Sequence, residues 1–118
     1  MESILTSIRT LIVGEACTHF DTDLIMHINT VFMTLTELGV GPDDGFYISD
    51  ESATWEEFFE DKKLLHAVKS YMYIKVRLLF EPNALTSAVI TAMNNQVADL
   101  EWRIREMVEN PAFNGKEV

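Results

Sequence analysis

Four stretches of this chain repeat apolar residues at the three- and four-residue spacing of a helix, and a glycine or a proline closes each one. A strand would show apolar residues at every second position, so this pattern restricts the chain to helix-built folds. Ile4, Leu5, Ile8, Leu11 and Ile12 share one face between Ser3 and Val13, and Gly14 follows as a stop. From Asp21 to Leu38 the stripe is Leu24, Ile28, Val31, Phe32, Leu35 and Leu38, ended by Gly39. Asp21 or Thr22 is placed to cap that helix, and Asp23 complements its dipole. Thr54-Trp55-Glu56-Glu57 has the T-x-x-E form of a capping box. The helix it opens either runs to Phe80 or breaks near Asp61 and resumes at Leu64. Leu64, Leu65, Val68, Tyr71, Met72, Leu78 and Leu79, widened by Ala67, Ile74 and Val76, make this the central helix. Pro82 ends it. A last helix begins between Asn83 and Ser87, places Leu85, Val89, Met93, Leu100, Ile104 and Met107 on one face, and stops at Pro111.

The expectation is therefore an all-α fold, a small helical bundle of four to five helices, with one long Gly/Pro/acid-rich loop, GVGPDDGFYISDESAT. Phe46, Tyr47 and Ile48 are the only stretch with strand character. A chain of 118 residues fits a single domain, read here as residues 1–110. Residues 111–118, including Phe113, have no periodicity and read as a mobile tail of the isolated chain. No apolar run approaches the ~20 residues of a membrane span, and MESILTSIRT lacks the basic-then-apolar layout of a secretory signal. The single Cys rules out an internal disulfide. A formal charge of −10 argues against tight binding of phosphate backbones.

No residue set reads as catalytic or metal-binding, and no cofactor is implied. His19, His27 and His66 lack ligand spacing, and Asp23 with His27 makes one pair where a site needs three or four ligands. Cys17 and His19 are neighbours in sequence, which does not make a dyad. There is no G-x-S-x-G, no phosphate-cradling glycine loop and no Glu-x-x-His. Asp43, Asp44, Asp50, Glu51, Glu56, Glu57, Glu60 and Asp61 crowd one stretch without a base among them. They read either as a soluble loop face or, functionally, as an acidic surface that repels DNA or meets a basic partner. Lys75 falls within the central stripe, so its ammonium needs either a snorkelling stem or an acidic partner, within the chain or across a subunit boundary. Met26 and Met33 lie almost opposite the stripe of their helix, and Trp102 falls on the side of Thr91 and Asn95. Large apolar side chains left off the core are interface candidates.

FDTDLIMHINTVFMTLTELGVGP, ATWEEFF, VKSYMYIKVRLLFEP and ADLEWRIR, taken together and in this order, resemble the head–tail connector (adaptor) proteins of long-tailed double-stranded DNA bacteriophages and prophages. The resemblance runs from Phe20 to Arg105. It rests on Asp23 to Asn29, Leu38-Gly39-Val40-Gly41-Pro42, Trp55 with Phe58, Tyr71 to Pro82, and Glu101-Trp102-Arg103. A second proline is common in that family after Pro82, where Asn83 stands here. The resemblance implies a non-catalytic neck protein forming a ring, commonly a dodecamer, beneath the portal protein at the capsid vertex. It implies a stopper or tail-completion protein as the next partner, and genomic DNA passing through the lumen without sequence-specific binding. The implied location is the virion neck, reached from the host cytoplasm during assembly, with no membrane partner. Met26, Met33, Trp102 and Phe113 are then the candidates for subunit or partner contacts. A small helical DNA-binding regulator is the competing reading; it wants a basic recognition helix, and Lys62, Lys63, Lys69, Lys75 and Arg77 lie on the central helix, but acids crowd its start.

Overall fold

The computed structural model describes residues 2–109. Five α-helices follow in chain order: α1 (Ile4–Ile12), α2 (Asp21–Glu37), α3 (Trp55–Phe58), α4 (Lys62–Leu79) and α5 (Ser87–Glu109), with a 3₁₀ turn at Pro82–Ala84 before the last. Among the described residues there is no strand, only an isolated antiparallel bridge between Ser3 and Thr54. The fold is an all-α bundle.

Most helix starts have a chemical reason. Ser3 caps α1 by accepting the amide of Thr6. Thr54 and Glu57 form the reciprocal capping box of α3. Asp61 accepts the amides of Lys63 and Leu64 and so starts α4. The path between α3 and α4 is thus broken: Phe59 is extended, and α4 begins at Lys62. α2 departs from expectation, because neither Asp21 nor Thr22 caps it. Phe20 holds the cap position without a side-chain bond, and Asp21 lies inside the first turn.

α4 packs against α1, α2 and α5, and α5 packs chiefly on α4. The first core layer is aromatic. Phe32 of α2 lies 4.7 Å from Phe58 of α3 and 5.1 Å from Phe46, ring centre to ring centre. Trp55 is fully buried, and its Nε1 donates to Ser7 Oγ at 3.0 Å. The start of the chain is stitched to this layer: Ile4 N donates to the Ala53 carbonyl, and Trp55 N to the Glu2 carbonyl.

Two apolar stripes are only partly used. α1 buries Ile4, Leu5, Ile8 and also Arg9, which turns Leu11 out to 60% exposure. α5 fully buries only Val97 and Ile104, and Val89 is exposed. Leu79, in the last turn of α4, is likewise exposed.

Candidate functional site

The outer side of α2 carries Met26 and Met33, 57% and 67% exposed, with exposed Thr30 between them. Alongside Met33 runs a groove of about 510 Å³, lined by Met33, Phe46 and Tyr47 together with Asn29, Glu37 and Asp44. The segment after α2 builds its far wall. Asn29 Nδ2 donates to the Ile48 carbonyl at 2.9 Å, and Ile48 N donates back to Asn29 Oδ1 at 2.8 Å. This side-chain amide supplies the pairing that a neighbouring strand would give, so Ile48 is buried with its backbone satisfied. Extended backbone alternates its side chains: Phe46 turns in against Phe32 and Phe58, while Tyr47 turns out to 77% exposure. Tyr47 was not among the residues singled out in the sequence. Its signal is weak, because a three-residue alternation inside a loop cannot say which side faces the core.

α5 presents the second surface. Tyr71 of α4 is fully buried and its hydroxyl donates to Glu101 Oε2 at 2.6 Å. Burial, and then the adjacent carboxylate, push the Tyr71 ionisation above its ordinary range. With Glu101 and the buried Ile104 turned toward α4, Trp102 faces away and is 53% exposed. Covering any one of these large side chains removes roughly 100 Å² or more from water, on the order of 2 kcal/mol each. The site is therefore suited to apolar contact.

The charged residues take varied positions. Of the eight crowded acids, Glu51 approaches Arg9 at 3.3 Å, Glu57 and Asp61 cap helices, and Asp50 accepts both the amide and the hydroxyl of Ser52. Those two donors hold the Asp50 carboxyl below its usual range. Asp43, Asp44, Glu56 and Glu60 are exposed. Lys75 is half-buried, and its ammonium sits 5.9 Å from the centre of the Tyr71 ring. Among the described residues it has no carboxylate partner within the chain. Two other cations of α4 are engaged within the chain, Lys69 with Glu2 at 2.6 Å and over the Trp55 ring, and Arg77 by donating to the Phe80 carbonyl at 2.7 Å, while Lys62 and Lys63 are exposed. Phe113 lies outside the described residues.

Arg9 escaped the sequence reading altogether. Its side chain is buried, Nε donates to Asp21 Oδ1 at 2.9 Å and Nη2 to Asp21 Oδ2 at 2.7 Å, a two-pronged pair joining α1 to α2. The Asp21 carboxylate raises the guanidinium's affinity for its proton further, against the opposing effect of burial. The reasoning applied to Lys75 would have found it, since Arg9 is four residues after Leu5 and three before Ile12, on the stripe itself.

Among the described residues no three His, Cys, Asp or Glu side chains converge as a metal site requires, and Asp23 with His27 gains no third partner. No helix there is long and apolar enough to cross a membrane. A family model described as phage connector protein matches residues 4–111. No curated protein and no solved structure matches the chain significantly.

Proposed function

The chain belongs to the phage connector protein family, and on that footing we propose that it is a structural neck component that joins head to tail without catalysing a reaction. In this reading copies of the chain form a ring, commonly of twelve, beneath the portal protein. The ring lengthens the channel through which genomic DNA passes, and its far side receives a stopper or tail-completion protein. The segment 111–118, with Phe113, is then the portal-facing contact. Assembly takes place in the host cytoplasm, and the mature location is the virion neck.

The observation that carries the reading is the pair of exposed apolar sets, Met26 and Met33 on α2 and Trp102 on α5. They sit on two helices that pack against the same central α4. A ring subunit needs two different surfaces, because each copy meets one neighbour with one face and the next with the other. The charge of −10 supports it too: a lumen that DNA must slide through is better lined by a surface that does not grip phosphates. The regulator reading loses support because Lys69 and Arg77 are engaged by groups of their own chain and Lys75 is half-buried against Tyr71.

The test is Trp102→Ala, followed by electron microscopy of the protein mixed with its portal and by thermal unfolding. The expected outcome is a chain that still unfolds cooperatively, with a midpoint lowered by the loss of the covered half of Trp102, about 1–2 kcal/mol, together with fewer complete rings. Normal rings with Trp102→Ala and with Met33→Ala would remove the basis of the reading. Deleting residues 111–118 is expected to weaken portal binding and leave the helical fold intact.

A further inference from the structure

Charge is spread through this chain, 24% of it Asp, Glu, Lys or Arg, yet two exposed regions have none. From Ala84 to Ala98 no residue is charged, and in that run Ala88, Val89, Thr91, Ala92, Asn94, Asn95 and Gln96 are exposed. Most of this run is the first half of α5. Between Asp23 and Glu37 the outer face of α2 offers Met26, Thr30 and Met33, also uncharged. A solvated helix of ordinary composition places charges on its outer face. Depletion of charge in an exposed patch is the compositional mark of an interface centre.

We infer that these two faces bind each other between copies: the uncharged first half of α5 in one copy lies on the Met26–Met33 face and the adjoining Tyr47 groove of the next. This rests on the ring reading above and continues its α5 surface from Trp102 back along the helix, past Asn95 and Thr91, into the uncharged turns. The occupant follows from charge. Two copies, each at −10, repel wherever acids face each other. The uncharged faces are where that repulsion is least, and a helix without acids is the partner that the Glu37 and Asp44 carboxylates beside the groove do not oppose. Where one copy's α5 meets the next copy's α2 and not the reverse as well, the contact is head-to-tail and propagates around a ring; the reciprocal pairing would close as a two-fold dimer. A helical face of this length spans roughly 15 Å and is about 10 Å wide, so it covers well under the ~800 Å² per partner of a standard interface. Free copies therefore meet weakly, and a template that sets them side by side completes the ring.

The experiment pairs cysteines in a Cys17→Ser background. Full-length chain carrying Met33→Cys is mixed with chain carrying Val89→Cys and treated with a short bismaleimide, both in concentrated solution and in particles assembled with the portal. The expected result is that the mixed adduct dominates, adducts of like variants stay at background, and a chain bearing both cysteines gives a ladder of higher oligomers. Dominant 33–33 or 89–89 adducts would overturn the inference by showing a two-fold contact. So would the absence, in both settings, of any mixed adduct above that of Glu56→Cys, an exposed position on α3. Particles that hold the chain at the neck, when neither they nor the solution give mixed adduct, reject this contact and leave the proposed function standing. Particles that lack the chain reject the function, and the ladder in solution then decides the contact alone.

Discussion

Arg9 and Tyr71 are the two residues whose chemistry ties one helix to another, and each makes a measurable prediction. Removing Arg9 leaves the Asp21 carboxylate, itself largely covered, facing the space the guanidinium filled. Breaking a buried pair from one side destabilises by about 3–5 kcal/mol. Because Asp21 keeps some access to water, Arg9→Ala is expected at the lower end, a loss of about 3 kcal/mol in urea unfolding. Arg9→Lys recovers only part of it, since an ammonium cannot make the two-pronged contact. Equal stability of Arg9→Lys and the unaltered chain would show that charge alone suffices. Tyr71 predicts a pH dependence. Its proton is held more tightly in the fold than in the unfolded chain, by burial first and the Glu101 carboxylate second. As pH rises through the ordinary tyrosine range, near 10, the unfolded state loses this proton first. The folded state then binds more protons, so stability falls with rising pH. Tyr71→Phe lacks that term. It is expected to be less stable by about 1–2 kcal/mol at neutral pH, with the gap narrowing above pH ~10. A gap that stays constant or widens would refute the assignment.

Elements were legible where their cause is local. Each of the four long helices carries its own period, and Thr54 with Glu57 announces α3 through a box of four residues. Whether the chain broke before α4 was undecided, because both outcomes fit the apolar pattern; the extended Phe59 and the Asp61 cap settle it. What could not be read locally is how much of a stripe finds a partner. Leu11 is turned out because Arg9 takes its share of the buried arc, and Val89 is left exposed although it lies on the stripe of α5. The off-stripe positions of Met26, Met33 and Trp102 were legible for the same reason as the helices, while Tyr47 depends on the long-range tie between Asn29 and Ile48. The turn out of α2 shows how strongly one residue constrains an element. Gly41 has φ +87°, and a Cβ built there would stand 2.5 Å from Phe58 Cε1, an atom of the aromatic core. Gly41→Ala therefore meets backbone strain of about 1–2 kcal/mol and also displaces Phe58. The expected loss exceeds 2 kcal/mol, read as a lowered unfolding midpoint with overpacking adding to strain. A variant with Phe58→Leu beside Gly41→Ala should lose less than the sum of the two single changes, because the shorter side chain clears the space. Strict additivity would mean that the clash contributes nothing.

For the whole molecule the controlling quantity is charge. Nineteen acids against nine bases leave each copy at −10, and the exposed apolar sets on α2 and α5 have to overcome that repulsion before they meet. Contact between apolar faces and repulsion between acids respond oppositely to salt. Screening shortens the reach of exposed charges from about 30 Å at 0.01 M to about 10 Å at 0.1 M, while burial of apolar area changes little over that interval. Self-association of this chain is therefore expected to strengthen as salt rises, measured by sedimentation of the concentrated protein. Duplex binding driven by cations would do the reverse, weakening steeply over the same interval. The two measurements on one preparation separate the readings. Association that grows with salt, with no salt-sensitive DNA shift, fits copies held apart by their acids and joined by uncharged helix faces. Association that fails as salt rises would put ion pairs at the contact instead. Lys75, half-buried beside Tyr71 and lacking an acid within its own described chain, would then become the cation to replace first. Lys75→Met distinguishes the cases directly: assembly that survives it leaves the apolar faces as the adhesive surface, and assembly lost without loss of fold assigns that lysine to an acid on the neighbouring copy.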